Sequence, residues 1–191
     1  MEAFSDGVFA IAITLLILIV AVPPHANGLG HELLRLWPSY VAYAASFLTI
    51  GIIWVNHHTM FRLFAHVDRT MLFLNVLFLM LVAFIPFPTH VVAEFARSPD
   101  DRRAAALLYG ITMTAMGVLF LIVWLYGSRR LLRDGVNRRE VTGITRSYIP
   151  GSPSYAAGTL VALVSPIASL VIYVALALFY VVSSSLFGRD E

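Results

Sequence analysis

Four polar side chains capable of chemistry sit within or at the ends of long apolar stretches: Asp6, Asn56, His57 and Asn75. Ionisable groups at membrane depth are costly, so where they occur they carry ions, relay protons or brace helices. Asp6 with His57 has the residue types of a proton relay, and Ser5 and the Trp54 indole N–H are further hydrogen-bond partners. The three histidines His57, His58 and His66 raise metal binding, but they lack the i, i+3 or i, i+4 spacing of a two-ligand helical turn, and only Asp68 is a nearby carboxylate. That makes a weak metal set. There is no Gly-x-Ser-x-Gly, no His-Glu-x-x-His and no Asp pair at membrane depth, so no catalytic constellation is visible and no enzyme is expected. Asp100 and Asp101 read as solvated partners of Arg102 and Arg103. The chain has no Cys, and all 13 basic residues are Arg. Thiolate chemistry, disulfides, Schiff bases and lysine-dependent phosphate loops are therefore excluded.

The elements that must position these groups follow from composition. Of 191 residues, 59% are hydrophobic and 13% are charged, the latter about half the share of a soluble domain. Mean hydropathy is +0.82. A soluble fold of this size cannot hide that much apolar surface. The composition points to an all-α, integral membrane protein forming one domain over residues 1–191.

A hydrocarbon core of roughly 30 Å needs about 20 apolar residues of helix. Phe4–Val22 is one such run, stopped by Pro23 and Pro24; Trp37–Val55 is a second, closed by Asn56, His57 and His58. Met71–Phe87 is a third, ended by Pro86 and Pro88, and Ala104–Tyr126 a fourth. Residues 155–187 make a stretch of roughly 50 Å if helical throughout, too long for one span. Ser165-Pro166 in its middle predicts two short helices joined by a tight turn, for six spans in all. With the N-terminus inside, nine Arg (62, 69, 129, 130, 133, 138, 139, 146 and 189) fall on inner segments and four (35, 97, 102 and 103) on outer ones. This bias predicts both termini in the cytoplasm. The Arg of the polar stretch Gly127–Pro153 read as orientation determinants ahead of an anionic-lipid site. Glu2 and Asp6 stand where a signal peptide carries basic residues, so no cleaved signal is expected. The two halves share no motif, and nothing supports an inverted repeat.

On this topology Asp6, Asn56, His57 and Asn75 share the cytoplasmic end, where they form either one buried cluster or a capped helix start beside an interfacial aromatic belt, with Ser5 able to cap. In the first span Ile11, Leu15 and Leu18 share a face, with Thr14 adjoining. Several copies of that face around an axis would form stacked apolar rings that gate by dewetting. In a helix apolar on every side the stripe alone does not demand this.

At these residues the sequence resembles the bacterial branch of the endosomal/lysosomal potassium channels, the transmembrane protein 175 family. The likeness rests on Phe4-Ser5-Asp6 followed by Gly7 to Leu16, on Leu36-Trp37-Pro38, Tyr43, Ser46-Phe47 and Trp54-Val55-Asn56-His57-His58, and on Asn75 with Pro86-Phe87-Pro88. It implies a homotetramer in the bacterial plasma membrane, with a pore lined by the first helix of each subunit. It implies constriction at Ile11, Leu15 and Leu18, a polar ring at Thr14, and permeant potassium passing these positions with no bound cofactor or resident metal. It also implies a polar network of Ser5, Asp6, Trp54, Asn56, His57 and Asn75 that braces the pore helix. The Thr-Val-Gly-Tyr-Gly filter of ordinary potassium channels is absent.

Two departures stand out. The family's Arg, four residues before the signature Phe, falls ahead of Met1, so the chain is expected to start late or to be trimmed, leaving Asp6 without that partner. The family's Glu near the outer end of the first span is replaced by Ile19. The expected function is a potassium-conducting channel, whose partners are lipid, monovalent cations and copies of itself rather than nucleic acid. Its rivals are a proton-coupled secondary transporter using Asp6 and His57, and a membrane enzyme or metal-binding protein using the histidines.

Overall fold

The computed structural model describes residues 1–23 and 28–187, excepting the side chains of 183–187; Pro24 and Arg189 therefore lie outside the described residues. The described part is helical almost throughout. Helix α1 (Glu2–Leu15) runs into a 3-10 turn, Leu16–Ile19. There follow α2 (Leu29–Arg35), α3 (Trp37–Arg62), α4 (Arg69–Phe84), α5 (Pro86–Phe95), α6 (Arg102–Arg130), α7 (Arg138–Tyr148), α8 (Gly151–Val161) and α9 (Pro166–Phe187). Among the described residues, four rods are long and apolar enough to cross a membrane: 2–19, 37–62, 69–95 and 102–130. A multi-pass membrane protein follows.

Three expectations about boundaries need correction. The polar run Asn56–His58 does not close the second rod, which continues to Arg62, because His57 is buried against other helices and its polarity is met there. Pro86 and Pro88 interrupt the third rod without ending it: α4 stops at Phe84, just ahead of Pro86. They begin α5, at first-turn positions where no N–H is required, and the rod reaches Phe95. Ser5 caps nothing: α1 starts at Glu2, so Ser5 lies inside the first turn.

The stretch 155–187 does divide at Ser165, whose hydroxyl accepts from Ala168 N–H at 3.3 Å and so starts α9. Helices α8 and α9 pack antiparallel. Ser169 Oγ donates to Gly158 O at 2.7 Å, and Tyr155 stacks on Tyr173 further along. Eleven residues of α8 reach only about 16 Å by themselves.

Helix α6 is the hub, touching α4, α5, α7, α8 and α9. Two glycines let neighbours approach it. A Cβ on Gly110 would stand 2.0 Å from Tyr173 Oη, and one on Gly127 would stand 2.1 Å from the Phe64 ring. The core between α1, α3, α4 and α6 is aromatic: Phe9, Phe61 and Phe78 are buried around His57, and Trp124 is buried beside Phe64 and Tyr148. At one end the α3–α4 and α6–α7 connections are tied by the antiparallel bonds Ala65 N–H to Leu131 O (2.7 Å) and Arg133 N–H to Leu63 O (3.0 Å). Asp68 caps α4 by accepting from Met71 N–H, and it also accepts the Tyr126 hydroxyl at 2.5 Å. Those two donors, Tyr126 first, hold its carboxyl below the ordinary carboxylate range.

Candidate functional site

Helix α1 has two faces. Ser5, Phe9, Ala12, Leu16 and Ile19 recur at steps of three and four residues and are buried against the chain's own α3, α4 and α5. The opposite face is uncovered: Phe4 (63% exposed), Ile11 (61%), Leu15 (42%) and Leu18 (71%) point away from the bundle, with Thr14 and the small residues Gly7 and Ala10 between them. The 3-10 turn affects the outer part of this seam. In a 3-10 helix residues three apart eclipse one another, so Leu18 stays over Leu15 instead of falling behind it. The Thr14 hydroxyl donates to Ile11 O at 2.9 Å, which leaves its oxygen lone pairs facing outward along the seam. The seam bears no charge between Phe4 and Leu18.

The buried face is held by polar bonds. Asn75 Nδ2 donates to Ser5 Oγ at 3.0 Å, and Asn75 Oδ1 lies 2.8 Å from His57 Nε2. Since Asn75 donates through nitrogen, its oxygen accepts, and the assigned network puts the proton on His57 Nε2. This chain joins α1, α4 and α3, and Ser5, Asn75 and His57 are at most 2% exposed. The His57 ring lies parallel to Phe78 at 5.6 Å and edge-on to Phe9 at 5.4 Å, which fixes its plane. Nearer the surface, Trp54 Nε1 donates to Asp6 Oδ1 at 2.8 Å and the Trp54 ring neighbours His58 at 6.1 Å. The Asp6 carboxylate is thereby held by an indole N–H.

Five of the six residues expected in one network therefore fall into two adjacent sets, Ser5–Asn75–His57 and Asp6–Trp54. Asn56 joins neither. It faces the other side of α3, towards α6 and α8, and its backbone carbonyl accepts the Tyr148 hydroxyl at 3.3 Å. No group of three His, Asp or Glu suited to a metal gathers among the described residues.

Sequence reasoning missed a second buried polar cluster. Ser46 Oγ lies 2.9 Å from Thr89 Oγ1 and 3.3 Å from Tyr109 Oη, linking α3, α5 and α6. Hydroxyls are common in membrane helices, and only the three-helix juxtaposition distinguishes these. Their signal in the sequence was no more than a hydroxyl in two apolar runs, Ser46 and Tyr109, and one, Thr89, just past the end of a third.

Residues 1–86 match the family described as endosomal/lysosomal potassium channel TMEM175. Along 183 residues the chain is 44% identical to a protein of Streptomyces collinus named a potassium channel, covering 94% of this chain and 89% of that one. It is 42% identical over 190 residues to one of Chamaesiphon minutus, also named a potassium channel, covering 96% and 93%. The crystal structure of a lysosomal potassium-selective channel TMEM175 homolog from Chamaesiphon minutus superposes with a TM-score of 0.88 at 40% identity, covering 96% of this chain and 95% of that one. These relatives are channels, not enzymes.

Proposed function

The chain belongs to the endosomal/lysosomal potassium channel TMEM175 family, and on that premise we propose that it is a plasma-membrane potassium channel built from four copies around α1. The observation that carries this reading is the division of α1 into a braced face and an uncovered, uncharged one. Four such faces about one axis stack Ile11, Leu15 and Leu18 into three apolar rings, with Thr14 supplying a ring of hydroxyl oxygens.

In such a neck no backbone carbonyls replace the hydration shell. An ion crosses by shedding part of its water against hydrocarbon, and potassium sheds water more readily than sodium because its larger radius holds it less tightly. Selectivity is then modest, and closure occurs by dewetting of the rings. The brace keeps α1 from tilting out of register, since Ser5 and Asp6 tie its first turn to α4 and α3. Asp6 and His57 have different hydrogen-bond partners, which supports bracing over a proton relay between them. In this reading α8 and α9 are the fifth and sixth transmembrane helices, and both termini are cytoplasmic. The nine-to-four distribution of Arg supports that orientation.

Liposome flux with potassium and sodium gradients tests the neck. Ile11→Asn and Leu15→Asn each put an amide into a ring, which wets it, and sodium leakage rises relative to potassium flux. Unchanged flux ratios for both variants would remove these residues from the ion path. Unitary currents in planar bilayers separate a channel from a carrier.

A further inference from the structure

A cavity of about 540 Å³ opens between α3, α6, α7, α8 and α9, on the side of α3 away from α1. That volume lies within the roughly 300–1,000 Å³ of ordinary ligand sites. Its walls are mostly apolar, among them Ile52, Ile53, Met116 and Phe120, and at Gly143 the absent side chain leaves open space. No Asp, Glu, Arg or His lines it, so it presents no charge to a cation, and its mostly apolar wall suits a hydrocarbon body.

Two further observations say what kind of molecule that body belongs to. The first is Asn56. Its motif neighbours Trp54 and His57 are paired, but among the described residues the Asn56 side-chain amide has no hydrogen-bond partner, although it lies in a membrane-spanning rod and lines the cavity. A half-buried amide at that level, open to the cavity, is met by water or by an occupant that carries an acceptor, and a lipid ester lies at the same level as the headgroup helix. The second is α7. One face of this helix, Gly143, Ile144, Ser147 and Tyr148, lines the cavity, while Arg139 and Arg146, two turns apart on the adjoining face, are exposed together with Arg138. A short basic amphipathic helix of this kind lies in the headgroup region. The Tyr148–Asn56 contact sets the amide level with the C-terminal end of α7, and the cavity continues past it to Ser152, Tyr155 and Thr49. From rim to depth the order is guanidinium, amide, hydrocarbon.

We propose that the cavity seats one acyl chain of an anionic phospholipid, with an ester carbonyl accepting from the Asn56 amide and the phosphate on Arg139 and Arg146. The site is separate from the α1 seam and does not depend on conduction. Phosphate, ester and acyl chain match the three zones in sequence. A zwitterionic lipid matches only the inner two.

The test uses the intact purified assembly in mild detergent, with phosphatidylglycerol or phosphatidylcholine as probe and retained lipid per chain counted by native mass spectrometry. Phosphatidylglycerol is retained in preference to phosphatidylcholine. Gly143→Phe, whose new side chain starts in open space, fills the cavity, and Asn56→Leu removes the amide. Each weakens phosphatidylglycerol retention about tenfold. The Arg139→Gln, Arg146→Gln double variant brings phosphatidylglycerol down to the phosphatidylcholine level. Ser147→Phe fills the same space should Gly143→Phe fail to fold. Parental retention in the cavity-filling variant or in Asn56→Leu overturns the site, including the case in which filling the cavity disturbs only assembly because a neighbouring copy occupies it. Equal retention of the two lipids overturns the headgroup assignment.

Discussion

Asn75 ties three helices with one side chain, donating to Ser5 on α1 and accepting from His57 on α3. The two ends are not equivalent energetically. Removing Ser5 Oγ leaves one amide hydrogen unpaired, whereas removing the Asn75 amide strands both a hydroxyl and an imidazole N–H in a buried site. Asn75→Ala is therefore expected to destabilise the chain by about 1–3 kcal/mol, and Ser5→Ala by less, near the ~0.6 kcal/mol typical of a polar contact in a membrane bundle. Thermal unfolding in detergent reads the ranking, and equal melting of the two variants would contradict it. Asp68 makes the second residue-scale prediction. Its carboxyl is held below the ordinary range by Tyr126 and Met71. Its contribution is complete above the unfolded carboxylate pKa and is lost as pH falls through the lower folded value. Asp68→Asn should melt lower than the parent at neutral pH and lose less stability on acidification, as melting curves across that range would record. The sequence made Asp6, His57 and Asn75 legible as polar groups in apolar runs. It did not separate Asn56 from them, because a side chain one position from His57 points about 100° away around the helix and meets different neighbours.

The elements show where local rules hold and where packing overrides them. Hydrophobic run length found the four long rods and the break at Ser165, since bilayer thickness imposes a minimum length. Pro86 stops the α4 ladder at Phe84 yet starts α5, so the rod goes on, because proline forbids a helix interior, not a helix start. Helix α7 was legible only as a basic polar stretch, although Asn137 accepts from Arg139 N–H at its start. Glycines divide by what surrounds them. Gly110→Ala drives a methyl into Tyr173 Oη and is expected to cost about 1–3 kcal/mol by overpacking. Gly143→Ala meets open space and gains helix propensity, up to about 1 kcal/mol. Opposite shifts in melting temperature are the expected result. If Gly110→Ala melted no lower than the parent, α6 would not be in close contact with α9.

At the scale of the whole molecule, the question is where α1 lies among the copies. Since the chain has no Cys, Leu18→Cys introduces a unique thiol. If α1 lines the axis, mild oxidation or a short bifunctional reagent links subunits in pairs, while Phe73→Cys, on the exposed face of α4, does not link across the axis. Absence of linkage at position 18 would move α1 to the periphery and remove the pore. Asp6→Ala loosens the hold of Trp54 on α1 and is expected to reduce recovery of the intact assembly more than it alters the potassium-to-sodium ratio, by size-exclusion chromatography and flux on the same preparation.

The sequence by itself determined that this chain belongs in a membrane, how many long rods it forms and that Asp6, His57 and Asn75 lie in or beside apolar runs. Those properties depend on composition and run length, which the bilayer reads directly. It could not say which face of α1 is covered, because in a helix apolar all round no periodicity separates a core face from a free one. Only the tertiary structure decided that, by pairing Ser5 with Asn75, seventy positions away. The same pairing turned Ile11, Leu15 and Leu18 outward, and the His57–Asn75 bond on α3 left Asn56 on the side that faces a cavity.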